Sequence, residues 1–205
     1  MTVQRAGRGK EWFDYFPVES TISKAFPTED NDAVLLVDIG GGVGHDLKAF
    51  NARFPTLPGR LVLQDLPQVI ENITDLPDTI EPLKYDMFTP QPLSNARAYY
   101  LRSVLHDWPD IHCRKALTNI ASAMGSTSRL LLNECVLAET GTPLFPAQLD
   151  ISMMMFGGSM ERTRKQWESL LGEVGLKIVK VHTAEEASPG LESLIEVIKK
   201  DVEAE

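Results

Sequence analysis

The chain has 205 residues, a formal net charge of −9 at pH 7 and 43% hydrophobic residues. These proportions predict one folded domain of ordinary size and exclude wholesale disorder, and no apolar run approaches the roughly 18 residues that a membrane span needs. The acidic balance argues against nucleic acid as a partner, and two cysteines without a CxxC pair or a disulfide framework favour a reducing, cytoplasmic setting.

The first half of the chain predicts a lead-in followed by alternating strands and helices. Residues 1–33 are polar and mixed, with one short helix around residues 12–16. Continuous apolar runs at 33–38 and 60–65 are typical of strands that are buried on both faces. A helix is predicted over 45–54, between these strands. Residues 66–95 are rich in proline and predict loops, with a weak strand at 81–85.

The second half continues this alternation. It predicts strands within 96–105 and at 129–134 and 176–182, and helices over 109–124, 148–156 and 163–174. Residues 191–200 fit either a strand or a helix on periodicity alone. The pattern as a whole indicates an α/β domain with a largely parallel sheet.

A glycine-rich turn follows the first predicted strand, in the pattern D-x-G-G-G-x-G. Glycines between a strand and a helix let the backbone approach a ligand closely, although His45 stands where the dinucleotide fingerprint requires its third glycine. Asp65 ends the second predicted strand about 20 residues beyond Gly44, where an acid can accept from a ribose diol. The alternative is a tight turn beside an exposed acid that ends a strand.

His106 lies in the run LHDWPD, after the fourth predicted strand. An imidazole with an ordinary pKa of about 6.5 can take a proton from a phenol, whose pKa is about 10. The alternative is that Asp107 or Asp110 caps the next helix and His106 is merely exposed. Glu134 and Glu161 are acids that could orient a histidine, although each alone is more often a loop residue. No metal-ligand spacing is present, so no metal site is predicted.

Six motifs occur together in one order: LLVDIGGGVG, LQDLPQV, YDMF, LHDWPD, LLNEC and MERT. In order and spacing they resemble the plant and fungal small-molecule O-methyltransferases, the caffeic-acid-type branch of class I S-adenosylmethionine-dependent methyltransferases. The resemblance covers residues 34–200. It implies a Rossmann-like fold, with a seven-stranded mostly parallel sheet and helices on both faces, after the lead-in 1–33 and before an acidic tail at 201–205.

The resemblance implies S-adenosyl-L-methionine as the cofactor. Its methionine part, ribose and adenine would be held in turn by the glycine turn, by LQDLP and by YDMF. Arg102 matches a position where the plant enzymes commonly carry lysine, and it substitutes imperfectly because the two cations differ in shape. The implied cofactor-binding residues are Asp38, Gly40, Gly42, Asp65, Leu66, Asp86, Met87 and Arg102.

The resemblance also implies the chemistry, which is methylation of a hydroxyl on a phenolic or polyketide-like molecule of secondary metabolism. His106 would be the general base, and Glu134 and Glu161 would flank and orient it. Asp107, Met153 and Met154 would contact the acceptor, since methionine adapts to flat aromatic surfaces. For the segment 153–156, ordinary helix core is an equally good interpretation.

These enzymes normally carry an N-terminal helical domain that makes the dimer and lends side chains to the pocket. A first strand that begins near residue 34 leaves no room for it, which suggests a truncated chain, a short homologue or half of a two-chain enzyme. We therefore expect a homodimer or a partner chain. Two other functions stay open, namely a non-methylating cyclisation or rearrangement and a non-catalytic accessory subunit.

Overall fold

The computed structural model describes residues 10–24, 26, 32–155, 158–184 and 193–201. The strands are β1 (Val34–Ile39), β2 (Arg60–Asp65), β3 (Ile80–Lys84), β4 (Ala98–Arg102), β5 (Arg129–Glu134), β6 (Val136–Leu137), β7 (Arg162–Thr163), β8 (Leu176–His182) and β9 (Ser193–Lys199). The helices are α1 (Trp12–Tyr15), α2 (Val18–Thr21), α3 (His45–Arg53), α4 (Pro67–Ile70), α5 (Asp110–Ala123), α6 (Leu144–Met154) and α7 (Arg164–Glu173), with a 3-10 helix at Leu105–Asp107.

Seven strands form one sheet in the order β3-β2-β1-β4-β5-β9-β8, and β6 pairs with β7 separately. Strands β1 to β5 are parallel, whereas β9 is antiparallel to both β5 and β8. The predicted mostly parallel, seven-stranded α/β fold is confirmed. The direction of winding reverses between β1 and β4, so a crevice opens at the carboxyl ends of these two strands.

Alternate side chains of the sheet point to opposite faces and contribute to two apolar layers. On one face the sheet packs against α5 and α7, and on the other against α1 and α3. All six residues of β1 are buried, which explains why its sequence reads as one continuous apolar run. The helices therefore lie on both faces, as the resemblance implied.

Several predicted elements differ from the observed ones at their ends. The segment that fitted either a strand or a helix is the strand β9, and its first six residues are buried between β5 and β8. Helix α6 begins at Leu144, four residues earlier than predicted, and the predicted residue Phe156 lies outside the described residues. The predicted helix at 12–16 is α1, and α2 follows it after Pro17.

The lead-in segment packs directly on the sheet. Trp12 stacks on Tyr100 with ring centroids 5.0 Å apart and on Phe50 at 5.6 Å. Arg97 donates hydrogen bonds to three carbonyl groups at and after the end of α2. The segment thus contributes to the apolar layer on the α3 face. Within the described ranges, no helix combines the length and apolarity that crossing a membrane would require.

Candidate active site

The glycine turn lies between β1 and α3, at the carboxyl edge of the sheet. Gly40 and Gly42 have φ values of 72° and 62°, a backbone region that other residues rarely adopt. A Cβ at Gly41 would lie 2.5 Å from both Asp38 Oδ2 and Leu63 Cδ1, so only glycine fits there. A Cβ at Gly42 would meet nothing within 4 Å. The turn is therefore packed tightly on its inner side and open at Gly42.

Asp65 joins the end of β2 to this turn. Its Oδ2 accepts a hydrogen bond from the Gly42 amide at 2.8 Å, and its Oδ1 accepts one from the Leu66 amide at 2.7 Å. The Leu66 side chain is exposed beside it. The carboxylate that was predicted to bind a ribose diol therefore lies against the open side of the glycine turn, with lone pairs left for further donors.

A buried polar network begins at Asp46, which follows the glycine turn. Asp46, in the first turn of α3, accepts from the Tyr100 hydroxyl at 2.8 Å and from Arg102 Nη1 at 3.3 Å. Asn133 donates to the same hydroxyl at 3.0 Å. Burial, and then the charge of Asp46, raises the pKa of Tyr100 well above its ordinary value. Asp38 is buried, pairs in register with Tyr100 and also raises the pKa of that phenol through its charge.

Asp86 and Met87 follow β3, and the residues on either side of them contact the end of β2 and the turn that carries His106. The Tyr85 amide just before them donates to the Asp65 carbonyl at 2.9 Å. The Met87 carbonyl accepts from Asn119 of α5 at 3.0 Å. The Phe88 ring packs edge-on against Trp108 with centroids 4.8 Å apart. The motif that was predicted to meet adenine thus lies between Asp65 and the histidine turn.

His106 lies in the 3-10 helix at Leu105–Asp107, just after β4. Only 4% of its surface is exposed, so the alternative of an exposed histidine is wrong. Its Nδ1 lies 2.9 Å from Glu161 Oε1, and its Nε2 lies 3.5 Å from Asp107 Oδ1. The next helix begins without a side-chain cap, so neither aspartate caps it. A bonded Nδ1 leaves Nε2 as the nitrogen that can face a substrate.

The two glutamates do different things. Glu161 bonds the imidazole, whereas Glu134 Oε1 accepts from the amides of Val104 and Leu105 at 3.1 and 3.0 Å. Both carboxylates are buried, and among the described residues neither Oε2 has a hydrogen-bond partner. Glu161 therefore orients the ring, and Glu134 holds the backbone that carries it.

These groups change each other's proton affinity. Burial by itself lowers the pKa of His106, but the hydrogen bond to Glu161 and the charges of Glu134, Glu161 and Asp107 outweigh it and raise the pKa to about 9. Burial raises the pKa of Glu134 to about 7, against the opposing influence of His106. The site therefore holds a proton firmly at neutral pH when no ligand is bound.

His106, Glu134 and Glu161 also form the one group of metal-capable side chains in the described part of the chain. Each offers one ligand atom, and these three atoms lie within 4.8 Å of one another. The sequence predicted no metal site because it shows no ligand spacing. A divalent cation would nonetheless find one nitrogen and two carboxylate oxygens here.

The residues that were predicted to meet the acceptor point in different directions. Met153 is 1% exposed and Met154 is 57% exposed, although they are neighbours on α6. The Asp107 side chain is half exposed beside His106. Helix α6 and the residue after it also expose other large apolar side chains, namely Leu144, Phe145, Ile151 and Met155. Met153 fits helix core, and Met154 belongs to an open apolar surface.

Sequence reasoning missed three side chains at this edge. Asp46 bonds Tyr100 and Arg102, Asp150 of α6 accepts from the Glu161 amide at 3.0 Å, and Arg162 bonds the backbone around His106. Asp46 lies two residues after the motif LLVDIGGGVG, and Arg162 lies within the motif MERT, so attention to the polar residues in and beside each motif could have found them. Nothing in the sequence around Asp150 marks it.

Comparison with known proteins gives consistent matches. A family model described as the O-methyltransferase domain matches residues 24–177. A demethylsterigmatocystin 6-O-methyltransferase of Aspergillus flavus is 45% identical over 87% of this chain and 46% of that protein. The fold is similar to a structure named A Pericyclic Reaction enzyme, with a TM-score of 0.88 and 32% identity over 96% of this chain and 50% of the other. OxaC in complex with SAH and oxaline gives a TM-score of 0.76 and 35% identity over 92% and 47%. The chain spans about half the length of all three.

Proposed function

The chain belongs to the O-methyltransferase domain family, and from that premise we propose that it transfers a methyl group from S-adenosyl-L-methionine to a hydroxyl of a small molecule. The observation that carries the proposal is the buried pair of His106 and Glu161, 2.9 Å apart at the carboxyl edge of the sheet. The six motifs support a place in the caffeic-acid-type branch. Its fungal relative acts on demethylsterigmatocystin, which supports a phenolic or polyketide-like acceptor in secondary metabolism.

The glycine turn fits the cofactor. Gly42 leaves a space that a side chain would fill, and Asp65 stands beside it with acceptor oxygens. In this proposal Asp38, Gly40 and Gly42 hold the methionine part, with Arg102 nearby. A related structure solved with SAH, the demethylated product of this cofactor, supports this assignment. Asp65 and Leu66 then take the ribose, and Asp86 and Met87 take the adenine.

Bound in this crevice, S-adenosyl-L-methionine supplies an electrophilic methyl group on a positively charged sulfur. The task of the protein is then to align the acceptor and remove its proton. His106 Nε2 accepts the hydroxyl proton, while Glu161 on Nδ1 stabilises the resulting imidazolium. The positive charge of the bound cofactor would oppose protonation of His106 and so lower its pKa towards the range in which it is a base. Glu134 holds the turn in place through two amides.

The acceptor would lie against Asp107 and Met154, with Met153 behind them. The exposed apolar side chains of α6 suggest that another polypeptide surface covers this side, from a second copy or a partner chain. Two buried free thiols, Cys113 and Cys135, favour a reducing, cytoplasmic setting.

The test is to measure S-adenosylhomocysteine binding by calorimetry and methyl transfer to a panel of phenols for the wild type and His106→Ala. We expect the variant to lose on the order of 1,000-fold in kcat, because the proton acceptor is gone. Its dissociation constant for S-adenosylhomocysteine should change less than about threefold, since His106 does not form the glycine turn. Unchanged turnover in this variant would refute the proposed base.

A second function has one observation in its favour, which is the likeness to a structure named A Pericyclic Reaction enzyme. A chain of that kind would convert its substrate without consuming S-adenosyl-L-methionine. Counting S-adenosylhomocysteine formed per product separates the two, since methyl transfer requires one for one. The intact pair of His106 and Glu161 favours methyl transfer. A wild-type chain that binds the cofactor but turns over no acceptor would instead support the accessory role.

A further inference from the structure

One short segment bonds every backbone carbonyl of the turn that carries the base. We call residues 159–162, between α6 and α7, the clamp segment, and residues 105–108 the base turn. Four consecutive carbonyls of the base turn accept hydrogen bonds from it. The pairs are Leu105 O with Arg162 Nη1 at 3.1 Å, His106 O with the Met160 amide at 3.0 Å, Asp107 O with Ser159 Oγ at 2.9 Å, and Trp108 O with Arg162 Nη2 at 2.9 Å.

Arg162 is the centre of this arrangement. Its side chain is 1% exposed, and besides two carbonyls it bonds Asp110 Oδ1 through Nε at 3.0 Å and Nη2 at 2.8 Å. Its guanidinium carbon lies 5.2 Å from the centre of the Trp167 ring. A planar guanidinium can serve several acceptors in fixed directions, which an ammonium group cannot do. One side chain therefore holds the first and the last carbonyl of the base turn.

The position of Arg162 in the chain matters as well. It directly follows Glu161, which bonds the imidazole at Nδ1. Two neighbouring residues thus fix the same histidine in two ways, Glu161 through its ring and Arg162 through its backbone. A shift of Arg162 relative to the base turn would also move the backbone of Glu161, whose Oε1 is bonded to Nδ1.

We propose that Arg162 is the positioning residue of the base, which holds the base turn against the clamp segment so that His106 keeps its bond to Glu161 and its aim at the acceptor. This inference rests on the proposed function. It adds that alignment of His106 depends on a buried side chain that touches neither cofactor nor acceptor. Small misplacements of a catalytic group cost large factors in rate, so the effect should fall on kcat.

The experiment compares Arg162→Met and Arg162→Lys with Arg164→Met, two residues further on. Arg164 is an exposed arginine that pairs with Glu168, so it controls for the loss of an arginine. We expect kcat to fall about 100-fold for Arg162→Met and not to be restored by Arg162→Lys. The dissociation constant for S-adenosylhomocysteine should stay within about threefold, and Arg164→Met should behave as the wild type.

A second readout does not depend on turnover. The four histidines of the chain can be followed by NMR, and His106→Asn assigns the signal of His106. In Arg162→Met the pKa of His106 should fall towards its ordinary value, because the bond to Glu161 loosens. Failure of the wild type to methylate any acceptor would count against the proposed function alone, since this pKa can still be measured.

If Arg162→Met does not fold, a milder substitution tests the contacts between the clamp segment and the base turn. Ser159→Ala removes one of the four carbonyl bonds and leaves the buried arginine in place. We expect a fall of roughly threefold to tenfold in kcat with unchanged S-adenosylhomocysteine binding. Wild-type kcat and an unchanged pKa of His106 in either folded variant would overturn the inference. A proportional loss of kcat and cofactor binding in both variants would overturn it too, since the role would then be general stability.

Discussion

The glycine turn and the base turn lie at the ends of neighbouring strands, β1 and β4, yet they are built in opposite ways. The glycine turn takes its shape from its own backbone, through residues whose φ values only glycine tolerates well, and one acid from β2 completes it. The base turn takes its shape from side chains far along the chain. Glu134 accepts from the amides of Val104 and Leu105 where the base turn begins, and the clamp segment bonds its carbonyls.

This difference matches what each turn would do in the proposed function. The first would leave room for a ligand, and it lacks a side chain at Gly42. The second would keep an imidazole in one orientation with a raised proton affinity, which needs buried charges with fixed partners. The crevice therefore combines an open glycine turn, shaped by its backbone, with a buried base turn, shaped by side chains. A substitution that disrupts one turn should leave the other unchanged.

Gly41→Ala tests the independence of the glycine turn, and it should have the largest effect on that turn. The added methyl would lie 2.5 Å from Leu63 Cδ1 and Asp38 Oδ2, and both side chains are buried and cannot move away freely. We expect a loss of about 100-fold in affinity for S-adenosylhomocysteine and a cost of about 1–3 kcal/mol in stability. Calorimetry and thermal unfolding measure these.

Gly172→Ala is the matched control for Gly41→Ala. Gly172 lies in α7, where a Cβ would approach only the flexible end of Lys200, at 3.4 Å. Affinity should not change there, and stability should rise slightly because alanine favours helix. The pKa of His106 should be the same in both variants. A Gly41→Ala protein whose His106 titrates differently would contradict the independence of the two turns.

The sequence predicts one turn better than the other for the same reason. Strand ends, glycines and Asp65 are local signals, so the fold, β1, β2 and the glycine turn follow from periodicity and turn chemistry. The placement of His106 does not. In isolation its motif fitted an exposed histidine beside a helix cap, and the contacts with Glu161 and the clamp segment come from distant parts of the chain.

Other differences have the same origin. The strand β9 could not be distinguished from a helix because its burial comes from β5 and β8, at distant positions in the chain. The roles of Asp46 and Arg162 were not predicted, because their hydrogen-bond partners lie in other elements. The distinct jobs of Glu134 and Glu161 also depend on which atoms they reach, which no spacing reveals. The roles of all these residues in catalysis stay predictions.

The pH dependence of stability tests the buried charges of the base turn. The pKa of His106 in the folded chain is about 9, above its ordinary value, so the stability that it contributes is complete below pH 6.5 and is lost as the pH rises through 9. Glu161→Gln removes the carboxylate whose hydrogen bond raises this pKa most. We expect the wild type to lose on the order of 2 kcal/mol more than the variant between pH 6.5 and 9.

Denaturant unfolding at several pH values measures this difference. Glu168→Gln is a suitable control, because its carboxylate is exposed and pairs with the exposed Arg164, away from the base turn. Its stability should follow the wild type at every pH. Parallel curves for the wild type and Glu161→Gln would show that the bond between Glu161 and His106 contributes nothing to the proton affinity of the site.

Metal removal should have the smallest effect, and it tests whether the base turn works through a proton. The three metal-capable side chains already have other tasks, since His106 Nδ1 is bonded to Glu161 Oε1 and Glu134 Oε1 accepts from two amides. A cation would have to break these bonds and compete with a proton that the site holds firmly. We therefore expect kcat to be unchanged after dialysis against a chelator, and added Zn²⁺ to inhibit by occupying the histidine. Loss of activity on chelation, with recovery on adding Zn²⁺, would mean that His106, Glu134 and Glu161 form a metal centre. The base turn would then act through a bound cation and not through a proton on His106.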